Sequence, residues 1–492
     1  MKRQEFTIGD LGDVTNAPSL LTSINRLINL NVEYVRQIAE AKRYYENENS
    51  ILKLSDKRID QKVEEVQTSP LRRADNRVPF NYHQILTDQK AAYLFGQMVL
   101  LKAQEDDSKD ENKTVEVFND KLSELSKRLQ RSLGVLSIEG SNNGHGWLYT
   151  YINEDSEFKF AVIDADEIIP VYDATIEKRL MYCIRYYTVG TDKMIEFHAP
   201  DRILIWKNNK LEEEKPQFTL GNEPGVWDGL PFIEFNNTPS KLDDLHKYKA
   251  LIDVYDKTVS LYANDIEDMQ QLIFVLINYG GTDLDVFLDD LKKYKVVNMS
   301  NEGKLDTLKV EIPVDARIKL LELLDRAIWM SGQGVDPRLE NMGNLSGTAL
   351  KQLYGLLELK ASQLESEYRE AISKLIDLFK QYLQITGIGD FTDIEVDQVY
   401  TRSMISNNLE IVQMAQTSKG IISDETIIAN HPWVENVKTE LDRIKTEQAA
   451  AIKQQQDAFA LNQDANNQNK TNPDGSKAND PAAKQPNGAN SE

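Results

Sequence analysis

The sequence predicts an α+β fold that is mainly helical. Long stretches carry apolar residues at the three- and four-residue spacing of a helix, and between Gly146 and about residue 237 the pattern changes to short alternating segments typical of strands. With 492 residues the chain can bury a sizeable core, and we expect two or three folding units.

The N-terminal part, residues 22–133, is predicted to be mainly helical. Its clearest helical patterns are LTSINRLINLNVEYVRQIAEAKRYYEN and YHQILTDQKAAYLFGQMVLL. The segments that follow alternate between apolar and polar residues and are separated by turn residues, which predicts one small antiparallel unit. They read WLYTYIN, EFKFAVI, EIIPVYD, LMYCIRYYTV, KMIEFHA and RILIWK.

A second long helix is predicted over residues 241–277, where apolar side chains return every three or four positions. The compact segment 278–312 contains a short helical pattern, DVFLDDLKKY, and two strand-like runs, KVVNMS and LDTLKVEI. Pro313 then opens a helix that extends to residue 331, because proline suits the first helical turn.

A loop over residues 332–345 precedes another long helical pattern, residues 346–386. Ser346 is the natural N-cap of this helix, and Gly387 and Gly389 are expected to end it after roughly 60 Å. A flexible loop is therefore predicted directly before a long, rigid helix.

The C-terminal part is predicted in three pieces. FTDIEVDQVY, within residues 387–403, reads as a strand, and residues 404–452 read as short helices. Residues 453–492 are rich in Gln, Asn, Asp, Ala, Gly and Pro, and we expect this tail to be disordered because it has too little apolar surface to fold alone.

Composition narrows the possible functions. No run of about eighteen apolar residues and no apolar leader is present, so we expect neither a membrane protein nor a conventionally secreted one. The single Cys183 excludes an internal disulfide, and the five histidines are scattered, so no metal or other cofactor is predicted. The formal charge of −22 argues against a protein that grips nucleic acid through its phosphates.

A search for catalytic motifs is mostly negative. The chain has no phosphate-binding loop, dinucleotide fingerprint, nucleophile elbow, HExxH or paired CxxC. His145 in SNNGHGW lies between glycines that suit a turn, and the many acidic residues give a two-metal nuclease almost no specific support. Composition leaves open an acidic, helical scaffold or adaptor that binds only protein, and a metal-dependent nuclease as a weaker alternative.

Four segments carry a resemblance to a known family. They are NRVPFNYHQILTDQKAAYLFGQ, LIDVYDKTVSLYANDIEDMQQLIFVL, ENMGNLSGTALKQLYGLLELKA and GIISDETIIANHPWVENVKTELDRI. In order and spacing they resemble the portal proteins of tailed bacteriophages, in the branch common in phages of Gram-positive hosts. The resemblance covers nearly all of residues 75–445.

The resemblance implies a structural, non-enzymatic protein of the virion. Portal proteins form a ring, usually of twelve subunits, at one capsid vertex after assembly in the host cytoplasm. Double-stranded DNA passes through the ring without sequence specificity, driven by the terminase large subunit during packaging and leaving again at ejection. Capsid and scaffolding proteins and a head–tail adaptor are the other implied partners, and no membrane is involved.

The resemblance also assigns domains to the predicted elements. The assignments are wing (1–240, with the strand in 387–403 returning to it), first stem helix (241–277), clip (278–312), second stem helix (313–331), tunnel loop (332–345), spine helix (346–386), crown (404–452) and disordered tail (453–492). The tunnel loop would project into the channel, and the spine helix would anchor it.

Candidate site residues follow from this assignment. The loop residues expected to face DNA are Val335, Asp336, Pro337, Arg338, Leu339, Glu340, Asn341, Met342 and Asn344. The expected loop hinges are Gly332, Gly334, Gly343 and Gly347, and the expected partner-binding residues of the clip are Asp285, Lys292, Lys293, Lys295, Asn301 and Lys304. Arg338, the only cation between residues 332 and 344, would lie close to phosphates, or else pair with an acid of the neighbouring subunit.

The negative charge fits a conduit better than a binding protein. Each tight phosphate contact would release counterions and oppose the next step of the DNA. An acidic wall repels the duplex from all sides and keeps it centred.

Overall fold

A computed structural model describes most of the chain. The described residues are 5–53, 74–104, 112–221, 223–269, 273–277, 304–308, 313–338, 352–403, 412, 415–429, 431, 434 and 437–468. They form two compact units, Met1–Ile405 and Ser406–Glu492. The predicted fold class, α+β and mainly helical, is confirmed.

The elements of the described residues are numbered here in chain order. The helices are α1 (Ile8–Leu11), α2 (Ala17–Tyr45), α3 (Tyr82–Phe95), α4 (Asn112–Asn143), α5 (Lys249–Met269), α6 (Val314–Gly332), α7 (Gly355–Ile385), α8 (Asp424–Ala429) and α9 (Val437–Gln468). The strands are β1 (Phe6–Thr7), β2 (Leu100–Ala103), β3 (His145–Ile152), β4 (Phe158–Ile163), β5 (Ile168–Tyr172), β6 (Leu180–Val189), β7 (Asp192–His198), β8 (Ile203–Lys207), β9 (Lys210–Lys215), β10 (Phe218–Leu220), β11 (Glu223–Gly225), β12 (Phe232–Asn236), β13 (Ile273–Ile277), β14 (Lys304–Leu308) and β15 (Val396–Val399).

The predicted strands between residues 146 and 237 are all present, but they form two larger sheets rather than one unit. β3 and β4 pair with β12 in a three-stranded sheet, while β5 to β9 form a six-stranded sheet with β1 at its edge. β1 runs parallel to β5, so this sheet is not wholly antiparallel. A short 3-10 turn at Ala165–Glu167 separates β4 from β5 where the chain changes sheet.

Helices cover both sheets. Leu20, Ile24 and Leu27 of α2 pack against inward-facing residues of the six-stranded sheet, such as Val171 and Ile184. The largest core cluster joins α4 and α7 to the three-stranded sheet. Alternating residues of the strands and one stripe of each helix therefore supply the core, as expected for packed layers.

The helical pattern predicted through residue 101 ends earlier than expected. α3 stops at Phe95, and Leu100–Ala103 form β2, which pairs with β15 in antiparallel register. A four-residue strand is too short for its period to be separated from the end of a helix. The predicted return of a strand near residues 391–400 to the N-terminal part is confirmed by this pairing.

The long helix predicted over residues 241–277 is wrong at both ends. Lys241 has a left-handed φ of 53°, and α5 begins only at Lys249, after a 3-10 turn at Leu245–Lys247. At the other end, Ile273–Ile277 form β13, antiparallel to β14. The run IFVLI is continuous and rich in β-branched and aromatic residues, which favours a strand over a helix.

Of the other two long helices, α6 lies close to both of its predicted bounds and α7 to its predicted C-terminal bound. α6 is displaced by one residue, because Pro313 occupies the N-cap and not the first turn. α7 ends at Ile385, and Gly387 follows with a left-handed φ of 70°, so the predicted stop is confirmed. The predicted cap Ser346 lies outside the described residues, and the helix bounds begin at Gly355.

Among the described residues of the C-terminal unit, α8 and α9 are the helices with defined bounds. Ser423 caps α8, accepting a hydrogen bond from the Thr426 N–H at 3.3 Å. α9 extends to Gln468, so the prediction of disorder from residue 453 is wrong as far as 468. Alanine, glutamine and lysine are good helix formers even where they offer little apolar surface. No helix of the described residues is long and apolar enough to span a bilayer.

An extended segment, residues 76–80, runs along α5 and is called the strap here. The backbone N–H groups of Asn76, Val78 and Phe80 donate to side chains spaced four residues apart on α5. The acceptors are Asn264 Oδ1 at 2.5 Å, Ser260 Oγ at 3.0 Å and Asp256 Oδ1 at 3.0 Å. Burial raises the pKa of Asp256 to about 7.

Candidate functional site

The candidate site begins where α6 ends. Gln333 adopts a left-handed conformation with φ 56°, and the N–H of Gly334 donates to the Trp329 carbonyl at 3.1 Å. This arrangement closes the helix in the manner of a left-handed C-cap. The first residues of the predicted loop are therefore fixed to the helix that precedes them.

Gln89 of α3 holds Val335 through both the oxygen and the nitrogen of its side-chain amide. Gln89 Oε1 accepts from the Val335 N–H at 2.7 Å, and Gln89 Nε2 donates to the Val335 carbonyl at 2.8 Å. The Val335 side chain is 3% exposed and packs with Tyr93, Leu357 and Ala361. The prediction that Val335 faces DNA is therefore wrong, because its side chain belongs to the core.

Gly332 and Gly334 are packing positions rather than free hinges. A Cβ atom at either residue would collide with the Leu86 side chain of α3. Neither glycine has a positive φ in the described structure, so the reason for glycine here is close approach and not backbone freedom. The other predicted hinges, Gly343 and Gly347, lie outside the described residues.

Arg338 is paired with carboxylates of its own chain. Its guanidinium donates to Asp336 at 3.0 Å and to Asp325, which also accepts from the Tyr82 hydroxyl at 2.5 Å. The hydrogen bonds that Arg338 donates to Asp336 and Asp325 raise its pKa, so it stays charged. Although Arg338 is exposed, two acids offset its charge here, and neither of the predicted partners, phosphate or a neighbouring subunit, is needed to explain it.

Beneath the loop base lies a buried ionic group, called here the Asp244 cluster. Its members are Lys90 of α3, Asn237, Asp244, Lys247 and Lys360 of α7. The Asp244 carboxylate receives Lys90 Nζ at 2.8 Å, Lys247 Nζ at 3.0 Å and Lys360 Nζ at 3.2 Å. Lys360 Nζ also donates to the Gly332 carbonyl at 3.0 Å, which connects the cluster to the end of α6.

The electrostatics of the cluster follow from one anion that three ammonium groups share. Burial alone would raise the pKa of Asp244, but the charges of Lys360, Lys90 and Lys247 outweigh this and hold it well below its usual value. Burial lowers the pKa of Lys90 to about 8, and burial also lowers the pKa of Lys360. The carboxylate is therefore strongly ionised, while the lysines compete for it.

The sequence carries a signal for this cluster, namely lysines on the buried faces of helices, although it matches no catalytic motif. Lys360 interrupts the apolar stripe of α7 between Leu357 and Leu364, and Lys90 occupies a core-facing position of α3. A lysine on the buried face of a helix is rare unless it is paired. Its partner, however, lies 154 residues away from Lys90, beyond the reach of local patterns.

The remaining predicted site residues fall largely outside the described part of the chain. These are Leu339, Glu340, Asn341, Met342 and Asn344 of the loop, and Asp285, Lys292, Lys293, Lys295 and Asn301 of the clip. Lys304 is the first residue of β14 and pairs with Ile277. Within the described ranges, no group of three or more His, Cys, Asp or Glu residues is arranged to hold a metal ion.

Comparison with known proteins is consistent across sequence searches. A model of the family described as phage portal protein, SPP1 Gp6-like, matches residues 24–454. The portal protein of Clostridium phage phiCD119 is 37% identical over 452 residues, which cover 87% of this chain and 96% of the relative. The portal protein of Bacillus phage SPP1 is 31% identical over 437 residues, which cover 82% of each chain.

Similarity to a solved structure is at a low level. A chain from the neck of a native GTA particle, computed with C12 symmetry, matches 72% of this chain and 89% of its own length at 14% identity, with a TM-score of 0.36. This likeness is too distant to support an inference. The two sequence relatives and the family model, which spans most of the chain, establish the classification: the chain belongs to the SPP1 Gp6-like family of phage portal proteins.

Proposed function

We propose that the chain assembles, usually as twelve copies, into a ring at one vertex of a phage capsid. The ring is the channel for DNA during packaging by the terminase and during ejection, and the platform for head–tail connector proteins. Membership of the portal family supports this role, which is structural and non-enzymatic.

The observation that carries the proposal is a second apolar stripe on α6. One stripe of this helix is already used, since Ile328 and Trp329 pack into the core with α3 and α5. The second stripe repeats at intervals of four and three residues and consists of Ala316, Leu320, Leu323, Ala327 and Met330. Leu323 is 66% and Met330 is 62% exposed in the single chain.

Such a stripe fits a neighbouring helix. Apolar residues at alternating intervals of four and three form the seam by which long helices pack side by side. α5, the other helix of the pair, offers its own exposed apolar residues, Val254 and Leu261. If the two sets of exposed residues meet between identical copies, the contact is head-to-tail, and such contact closes into a ring when the rotation permits.

The domain roles are proposed on the same basis. The N-terminal layers with β15 form the wing, α5 and α6 the stem, the segment between them the clip, α7 the spine and the C-terminal unit the crown. The clip binds the terminase large subunit and the adaptor, while the wing and crown meet capsid and scaffolding proteins. Asp336, Pro337, Arg338 and the loop residues after them approach the DNA, and Val335 does not.

The charge of the chain supports passage rather than capture. A formal charge of −22 per copy repels the duplex, so the DNA is not held by phosphate contacts at each step. Screening limits this repulsion to about 8 Å at physiological salt, so it acts only where the DNA is close to the wall.

The test is a charge placed in the second stripe. We expect Leu323→Asp to leave the chain folded but to abolish rings, because a carboxylate would be buried at each contact between copies. Mass measurement of the assembled particle and electron microscopy of the purified protein detect the loss. The matched control is Leu30→Asp, which changes an exposed leucine on α2 and should leave the rings intact. Rings from Leu323→Asp identical to those of the wild type would refute the proposed interface.

A further inference from the structure

We infer that Gln89 and Lys360 are positioning residues that fix the base of the loop after α6 to two other helices. The inference rests on the proposed function in one respect, namely that this loop meets DNA. Its structural content, namely which side chains set the place of the loop, stands on the contacts below.

The two residues hold the loop base from different helices. Gln89 extends from α3 and binds both backbone groups of Val335, at 2.7 and 2.8 Å. Lys360 extends from α7 and donates to the Gly332 carbonyl at 3.0 Å. Three backbone groups within four residues are therefore held by side chains of α3 and α7, in addition to the loop's own helix cap.

Each positioning residue is itself restrained. Lys360 Nζ is held at 3.2 Å by Asp244, whose backbone N–H donates to the Ser141 carbonyl at 2.8 Å. Lys90, on the same helix as Gln89, binds the same carboxylate at 2.8 Å. The Asp244 cluster thus joins α3, α7 and the segment before α5, so that the two supports of the loop share one fixed point.

Burial makes these contacts costly to break. Lys90, Asp244 and Lys360 are all buried, and a charge that leaves its partner in such a place would lie unpaired in a poorly polar environment. Close packing of Leu86 against Gly332 and Gly334 removes the space in which the loop base could slide. A displacement of α3 or α7 must therefore move the loop base with it.

The cluster offers a variant that separates positioning from stability. Lys247 also pairs with Asp244, at 3.0 Å, but it has no described contact with the loop base. Lys247→Met thus perturbs the charge of the cluster and leaves the bond to Gly332, whereas Lys360→Met removes that bond. Gln89→Ala tests the second support without touching the cluster.

The experiment is hydrogen exchange of the full-length protein, read on peptides that cover residues 333–338. We expect Lys360→Met and Gln89→Ala each to accelerate exchange there at least tenfold, while exchange in the middle of α6 and α7 stays at the wild-type rate. Lys247→Met should leave residues 333–338 unchanged. Should Lys360→Met fail to fold, Gln89→Ala alone decides.

Two outcomes would overturn the inference. One is unchanged exchange at residues 333–338 in Gln89→Ala. The other is faster exchange that is equal in Lys247→Met and Lys360→Met or that extends over the whole chain. Either pattern would show that the substitutions only lower the stability of the protein. Particle mass measured on the same samples tests the proposed function separately: wild-type protein without rings would refute the ring and leave the exchange comparison valid.

Discussion

Replacing Asp244 by asparagine removes the only carboxylate of the Asp244 cluster while keeping its size. Lys90 and Lys360 are both buried and would then face each other without an anion. Removing one partner of a buried ion pair costs about 3–5 kcal/mol. Lys90 can escape part of this by releasing its proton, and its pKa is already about 8 in the intact protein. We therefore expect Asp244→Asn to lower the free energy of unfolding by about 3 kcal/mol at pH 7.

The pH dependence of this loss has a definite sign. Without Asp244, the folded-state pKa of both lysines falls further below the ordinary value of about 10.4 that applies to the unfolded chain. Between those two values the unfolded chain holds more protons than the folded one, so the stability of the variant rises with pH. The difference from the wild type should narrow from pH 7 to pH 9.

Urea unfolding at several pH values, at one fixed protein concentration because assembly shifts apparent stability, measures both effects. Asp243→Asn is the matched control, because Asp243 is the adjacent residue and its side chain accepts from the His246 N–H at 2.8 Å, which asparagine can still do. Its carboxylate also lies 3.6 Å from the His246 ring, outside the cluster. A loss below about 1 kcal/mol, or a difference from the wild type that does not change with pH, would refute the account of the cluster.

Two further substitutions test the molecule elsewhere. Burial lowers the pKa of His83 to about 4, whereas the unfolded chain binds this proton below about pH 6.5, so the free energy of unfolding falls by up to about 3 kcal/mol as the pH drops between these values. The His83→Gln variant should lack this loss in acid unfolding titrations. Parallel titration curves for the variant and the wild type would contradict the assignment. Arg338→Glu should leave folding and rings intact, because an exposed ion pair contributes less than about 1 kcal/mol, but it should lower the DNA content of particles by adding negative charge beside Asp325 and Asp336. Normal DNA content would contradict the proposed contact, and lost rings would indicate a role in assembly instead.

Local periodicity predicts those elements that are long enough to distinguish the period of a helix from that of a strand. The ten residues of β6 are rich in β-branched and aromatic residues, and α2 and α7 each repeat an apolar stripe over many turns. The apolar residues of β13 fit the period of a helix as well as that of a strand, and only the pairing of β13 with β14 separates the two. Low apolar content predicts disorder from residue 453, but helix propensity extends α9 to Gln468.

The candidate site was predictable in place but not in mechanism. Loop chemistry indicated a special segment after α6, and family resemblance gave its proposed partner. The roles of Val335, Gly332 and Gly334 came out differently because each depends on α3, which is about 240 residues away in sequence and adjacent in space. Gln89, a polar residue in an ordinary helix, carried no local signal for the two bonds that it makes.

The strap along α5 implies a limit on its own length. Two residues of extended chain advance about 6.6–6.8 Å, whereas four residues of helix advance about 6.0 Å. The N–H groups of Asn76, Val78 and Phe80 therefore shift relative to their acceptors by about 0.7 Å per step, so the mismatch grows with each added bond. Three successive backbone N–H groups of the strap are matched to side chains of α5 in this way. A straight strand laid on a straight helix can thus be matched only over a short span, and here the chain turns into α3 at Tyr82, directly after the last match.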